Sequence, residues 1–409
     1  MRIYNFYKIY KKIKRKEEII LKKKLMMIPG PTPVEQSILD ALSKETVSHL
    51  DPELVKTLKE TLQDLKTIVM TEQGQPFIIP GTGTLAMETA LVNALKKGDR
   101  LLVISHGFFG DRFVEIARAY DFEVEVLASQ WGKIVEVEKI TQKLKEKKFS
   151  ALTLTHVDTS TGVCAPVIEV GEILKKYSET LFIVDGVCAM GGIEERMDDW
   201  GIDILFAGNQ KAIGVPPGLA NLLFSQRALE RRNSLGKIFA YYMDINRWLP
   251  IMREPGERYF ATHAVNMVNA LHQGLKIILE EGLEERFRRH QKFALAFQTG
   301  LEELGFSILP SQEIRANTVS TVVYPSGIED LPFREKLYQN GVLVSEGKGV
   351  LAGKVFRLGH MGNITENEVI MTLSIIEKTL SDFNYNFKMG AGVGAAENIL
   401  WNVKKGARH

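Results

Sequence analysis

The order of its apolar runs constrains this chain more than any other feature. From Met26 onward, short runs of aliphatic and β-branched residues alternate with longer helical patterns: a helix over 53–69, a strand near 77–79, a helix over 84–95 and a strand over 101–105. Strand-like runs at 124–127, 151–155, 181–184 and 202–206 continue the series, separated by spacers long enough to hold a helix. Parallel neighbours need such crossovers, so the pattern predicts an α/β domain whose mostly parallel sheet is covered by helices. A further strand-like run, 219–224, follows Pro216-Pro217-Gly218. Beyond it lie a helix-rich stretch over 262–304, strand-like 318–324 and 342–345, helical 331–339 and a final helix over 366–383, together predicting a smaller α+β C-terminal domain. The expected division is a basic extension at 1–25, a large α/β domain at 26–270, a small domain at 271–385 and a tail at 386–409, either a docked helix or a loose end.

Composition excludes several classes. The 409 residues carry 52 basic and 50 acidic side chains, a net charge of +2, too balanced for a nucleic-acid binder. The two cysteines, Cys164 and Cys188, stand in no ligand spacing, so neither a metal cluster nor a disulfide framework is expected, and a reducing cytoplasm fits. No apolar run approaches the roughly 20 residues of a membrane span. The Lys/Arg-rich residues 1–25 read as a disordered arm, a start assigned too far upstream or a membrane-surface helix.

The stretch IPGTGTLAMETAL at 79–91 raises a question, because Gly81-x-Gly83-x-x-Ala86 matches a dinucleotide turn. Such a turn needs a carboxylate at the end of the next strand to hold a ribose, yet that strand ends in Ile104-Ser105-His106. Glycine at a helix N-terminus still suits a phosphate. Further on, Leu181–Val184 delivers Asp185 at a strand end, and the loop Gly208-Asn209-Gln210-Lys211 presents one lysine. A phosphate turn, a strand-end carboxylate and a loop amine are the three groups that pyridoxal phosphate requires: an anion cradle, a partner for the ring nitrogen and an amine for the aldehyde.

With these residues in place, the chain resembles the class V, fold-type I aminotransferases of the serine–pyruvate and alanine–glyoxylate group. The resemblance runs from about Met27 to Phe383 through IPGPTPV, GTGTLAMETAL, THVDTSTGV, VDGVCAMGG, GNQKAIGVPPGLA, RYFATHAV and FRLGHMG. It implies that Lys211 is the Schiff-base lysine and proton shuttle, and that Asp185 binds the ring nitrogen. It implies phosphate contacts from Thr82, Gly83, Thr84 and Gln210, with Thr84 standing where a close relative has histidine. Thr159 would donate to the phenolic oxygen, Val187 and Phe109 would cover the ring faces, and Phe109 replaces a tryptophan of mammalian relatives. Phe108 beside it competes for that stacking role. Arg357 would grip the substrate carboxylate, and His49 would border the substrate entrance or act as a cap or surface residue. Tyr259 and Thr262 would reach the phosphate in a neighbouring subunit, which implies a homodimer with shared sites.

The expected activity is transfer of an amino group from serine or alanine to glyoxylate or pyruvate by a ping-pong route. A 2-aminoethylphosphonate–pyruvate transaminase is the first alternative. A cysteine desulfurase is disfavoured because both cysteines precede Lys211. A non-catalytic cofactor-binding protein is disfavoured by the retained Lys211, Asp185 and Arg357, and a dinucleotide oxidoreductase by the missing ribose carboxylate.

Overall fold

A computed structural model describes residues 24–401. The reading of residues 1–25 as a separate extension therefore lies almost wholly outside the described residues. The centre is a seven-stranded sheet in the order Gln75–Gly81, Gly218–Phe224, Ile204–Gly208, Leu181–Asp185, Ala151–Thr155, Arg100–Ser105, Glu123–Ala128. Gly218–Phe224 runs antiparallel to both neighbours, and the other strands of the sheet share one direction. Every residue of Ala151–Thr155, Leu181–Asp185 and Ile204–Gly208 is buried, the pattern of strands covered on both faces. The edge strand Glu123–Ala128 instead alternates toward solvent, and its Glu125 pairs with Lys147 and Lys143.

Local chemistry sets the helix ends. Asp51 accepts the N–H groups of Glu53 and Leu54 at 2.9 and 3.3 Å ahead of Pro52, and so starts the helix Pro52–Ile68. Its Leu54, Leu58, Leu62 and Leu65 form the buried stripe. The helix Gly83–Ala94 is buried along most of its length, directly beneath the turn that precedes it.

The C-terminal part has a four-stranded antiparallel sheet in the order Ser307–Ile308, Val319–Val323, Val355–Gly359, Ser345–Glu346. The run 342–345, expected as one strand, divides: Val342–Leu343 pairs in parallel with Leu25–Met26, whereas Ser345–Glu346 joins Val355–Gly359. Buried Val344 lies at the break, where the chain leaves one partner for the other. One apolar core spans Ile38 to Ile278, and a second gathers Met27 with Phe293 through Leu400. The beginning of the described chain thus packs with its end. A small cluster of Val157, Cys188, Ala189, Ala212, Ala316, Val319 and Met361 joins residues from both parts. Buried Arg286 braces the same junction by donating to the carbonyls of Gly191 and Ala212.

The tail forms a helix, Ala391–Leu400, which packs on Leu283–Glu303 and Glu366–Asp382. The buried Glu377 carboxylate accepts the N–H groups of Gly390, Gly392 and Val393 at 2.8, 2.9 and 3.1 Å, which fixes the start of that helix.

Candidate active site

The C-terminal ends of the parallel strands converge on one cavity of about 130 Å³. Strand Gln75–Gly81 leads into Thr82, Gly83 and Thr84; Arg100–Ser105 into Phe109; Leu181–Asp185 into Val187; Ile204–Gly208 into Gln210 and Lys211. All these residues and Asp185 line the cavity, with Met87, Arg112, Val157 and Cys188. Eight of the twelve predicted site residues therefore share one wall system. Thr159 and Arg357 adjoin it: Arg357 Nη1 donates to the Thr159 carbonyl at 3.3 Å and Nε to the Glu346 carbonyl at 2.8 Å. Tyr259 and Thr262 stand apart, exposed and bonded to each other at 3.1 Å. His49 packs on the Tyr259 ring at 5.2 Å rather than on the cavity wall.

The lysine loop is held from an unexpected direction. Thr32 Oγ1 donates to the Lys211 carbonyl at 2.9 Å, the Thr32 N–H donates to the Gln210 carbonyl at 3.2 Å, and Lys211 Nζ donates to the Pro29 carbonyl. Gly30 lies against that side chain with φ +101°, and a β-carbon there would fall 2.5 Å from Lys211 Cδ and 2.7 Å from Nζ. Only glycine combines that backbone with that approach. The IPGPT stretch is thus a cover for the amine.

Asp185 is 3% exposed, and its Oδ1 accepts the Val187 N–H at 2.9 Å. Burial pushes its carboxyl up to about 7; the Val187 N–H pulls the other way, and nearby Asp158 and Glu195 add to the rise. A carboxyl in this state is short of a cationic or N–H partner. At the opposite functional end, the helix Gly83–Ala94 begins without a capping side chain and without an acidic residue in its first turn. A β-carbon on Gly83 would lie 2.9 Å from Val187 Cγ2, so the glycine keeps the cradle open. Thr159 Oγ1 and Gln210 Oε1 are buried with no hydrogen-bond partner among the described residues. These orphaned groups, the open cradle and the undercompensated carboxyl fit a phosphorylated pyridine aldehyde.

Sequence reasoning missed Asp158 as a site residue, although it lies inside THVDTSTGV. Its Oδ2 accepts the Phe109 and Gly110 N–H groups at 2.9 and 3.3 Å, and its Oδ1 accepts the Ser160 N–H and Oγ–H at 2.9 and 2.6 Å. Asp158 thereby caps the helix Phe108–Ala119 from another strand end and aims Phe109 at the cavity. The Asp-x-Ser pattern was the available signal. Arg112 was also missed; it stands one turn after Phe109, and its Nη1 donates to Thr84 Oγ1 at 3.2 Å. Phe108, the competitor for ring stacking, turns instead toward Arg112 and Lys348.

A doubly covered, mostly parallel sheet with an amine, a buried carboxylate and an anion cradle at its strand ends defines an amino-group transferase of fold type I. The chain belongs to the Aminotransferase class-V family, whose model matches residues 28–369. It is 38% identical over 380 residues to an uncharacterized aminotransferase of Methanocaldococcus jannaschii, covering 92% of this chain and 98% of that one. It is 31% identical over 381 residues to the serine–glyoxylate aminotransferase of Arabidopsis thaliana, covering 92% and 94%. The crystal structure of an alanine–glyoxylate aminotransferase from Nostoc sp. superimposes with a TM-score of 0.85 at 32% identity, over 90% of this chain and 97% of that one.

Proposed function

We propose that this aminotransferase binds pyridoxal 5'-phosphate in the strand-end cavity and moves an amino group from serine or alanine to glyoxylate or pyruvate. The observation that carries the reading is the meeting of Lys211, Asp185 and the uncapped Thr82-Gly83-Thr84 turn on the walls of one cavity. Thr82, Gly83, Thr84 and Gln210 hold the phosphate, with the helix N-terminus supplying backbone N–H groups and a favourable dipole. Phe109 and Val187 confine the ring, and Thr159 Oγ1 donates to its phenolic oxygen. When bound, the cofactor supplies an electron sink for the bond at the substrate α-carbon. Asp185, ionised by its cationic partner, keeps the ring nitrogen protonated. Lys211 would hold the aldehyde of the bound cofactor and would move the proton at the substrate α-carbon, in keeping with two half-reactions in turn.

Arg357 grips the α-carboxylate. It is 6% exposed, makes only carbonyl contacts through Nε and Nη1 and pairs with no carboxylate among the described residues, so Nη2 and the second Nη1 N–H are left for an anionic ligand. The enzyme works as a homodimer, a reading favoured by exposed Tyr259, Phe239 and Tyr241. The unbridged cysteines suit the cytoplasm.

The test is a pair of variants. Lys211→Ala should abolish turnover and the absorption band of lysine-bound cofactor, with the far-UV spectrum unchanged. Arg357→Ala should lower kcat/KM about ten- to two-hundred-fold for donors and acceptors alike, with cofactor retained. A Lys211→Ala enzyme whose cofactor band still responds to amino acids at the native rate would refute the reading.

A further inference from the structure

Two arginines on one helix divide their hydrogen bonds between the two halves of the molecule. Arg286 and Arg289 lie in the first turns of Leu283–Glu303, just after Gly282, which has φ +83°. The helix before that glycine, Val265–Glu281, sends Val268, Leu271, Leu275 and Ile278 into the first apolar core. The helix after it sends Phe293, Phe297 and Leu301 into the second. The arginines therefore stand at the joint between the cores. Arg286, fully enclosed, donates from Nε to the Gly191 carbonyl at 2.6 Å and from Nη2 to the Ala212 carbonyl at 2.7 Å. Ala212 follows Lys211 directly, and Gly191 belongs to the segment that follows Asp185. Arg289 faces the other way. Its Nη2 donates to the Gly362 carbonyl at 3.0 Å and its Nη1 to the Ile364 carbonyl at 3.2 Å, just beyond the strand Val355–Gly359 that carries Arg357.

Glu281 ties the two together. Its Oε2 accepts from Arg286 Nη1 at 2.7 Å and Arg289 Nη2 at 3.0 Å, and its Oε1 accepts from Arg289 Nε at 2.5 Å. Burial opposes its ionisation, but the two guanidinium groups outweigh burial and hold the carboxyl below the ordinary range. Asn363 Oδ1 adds a direct bridge by accepting from Arg286 Nη2 at 3.2 Å. His290 adds another: the Gly362 N–H donates to its Nε2 at 3.1 Å, so Nδ1 carries the ring proton and donates to the Arg286 carbonyl at 2.8 Å. An enclosed network whose charges are paired rigidifies the parts it joins.

We propose that Arg286, Glu281 and Arg289 are positioning residues, which hold the Lys211 loop and the Arg357 strand at one separation so that a donor gripped by its carboxylate presents its α-hydrogen to the Lys211 amine. None of the three lines the cavity, and they act through the carbonyls they hold. The proposal rests on the roles given above to Lys211 and Arg357.

Because loss of enclosed Arg286 threatens the fold, the test falls on Arg289 and Glu281, whose side chains are 19% and 20% exposed. Arg289→Met, Glu281→Gln and the double variant are compared as holoenzymes with wild type. Lys292→Met is the control, since the Lys292–Glu366 pair at 3.0 Å joins two helices of the second core alone. The rate of change of the cofactor band is followed in a single turnover, with protiated and α-deuterated serine or alanine as donor. Arg289→Met and Glu281→Gln should each slow it about ten- to a hundred-fold, the effect of an ångström-scale misplacement. The slowed step should be slower still with deuterium. The double variant should be no worse than either single one, because all three break the same link. Cofactor affinity, titrated into apoprotein by absorbance, should hold. An unchanged rate, a slowed rate without an isotope effect, an equal loss in Lys292→Met, or weakened cofactor binding each overturns the proposal and leaves the roles of Lys211 and Arg357 standing. A Lys211→Ala enzyme that still turns over removes those roles and the proposal with them.

Discussion

Directly behind the strand end that bears Asp185, His156 Nδ1 lies 2.8 Å from Glu195 Oε1, both side chains fully enclosed. The His156 N–H of the main chain also donates to the Asp185 carbonyl at 3.0 Å, so the pair is fastened to the segment that aims the carboxylate. Burial alone would discharge the imidazole, but contacts with Cys164 and Glu195 outweigh it and push His156 up to about 10. Because the folded value exceeds the unfolded one of 6.5, the pair's contribution is complete below pH 6.5 and declines as pH rises toward about 10. Removing one partner strands the other: Glu195→Ala should cost about 3–5 kcal/mol in urea unfolding near pH 7. The cost should shrink above pH 9; a loss constant across that range would show that the pair contributes no charge interaction.

Asp185 titrates with the same sign from a different cause. Its carboxyl, raised from 3.8 to about 7 in the cofactor-free protein, stabilises the fold fully below pH 3.8 and progressively less as pH rises through 7. Thermal melts of apoprotein should therefore show Asp185→Asn gaining on wild type between pH 4 and 7. Holoenzyme should reverse the comparison, because the ring nitrogen supplies the missing partner.

Gly30→Ala places a methyl group on the lysine and forces an unfavourable backbone. We expect kcat to fall about ten- to a hundred-fold through misplacement of the Lys211 amine. Stability should drop by about 1–3 kcal/mol. Gly98→Ala is the control, since Gly98 has φ +84° with nothing within 4 Å of the added carbon. It should lose stability with kcat preserved. Equal kcat values in the two variants would remove the cover role of the IPGPT stretch.

The homodimer proposed above, if its sites are built from both subunits, predicts complementation. Lys211→Ala chains co-expressed with Tyr259→Ala/Thr262→Ala chains should form heterodimers in which one site has a native lysine from one chain and native Tyr259 and Thr262 from the other. At limiting cofactor, activity should return to about half the native level per heterodimer. Purified heterodimers no more active than their parents would place Tyr259 and Thr262 in their own subunit's chemistry.

The sequence disclosed the large sheet and the cavity for a common reason. Asp185, Gln210, Lys211 and the Thr82–Thr84 turn each follow an apolar strand within a few residues, so a local pattern reports where each one points. Helix boundaries fell within a few residues for the same cause, as with Pro52–Ile68 and Gly83–Ala94. What escaped depends on partners distant along the chain. Glu195 meets His156 across 39 positions, and Pro29 meets Lys211 across 182. The division of 342–345 between two sheets could not be read locally, because its first half pairs with Leu25–Met26 and its second with Val355–Gly359.

The segment covering Lys211 also dictates when the site can exist during synthesis. Leu25–Met26 is anchored by Val342–Leu343, and the Met27 carbonyl accepts the Gly359 N–H at 2.9 Å. A ribosome exposes the cover first, the lysine next and the anchor last, more than three hundred residues after the cover. A growing chain that has completed its central sheet thus holds an amine with no fixed lid. Cofactor capture in the finished geometry must wait until residue 359 has left the exit tunnel, and a chain stopped before Val342 should retain the cradle yet never close over the lysine.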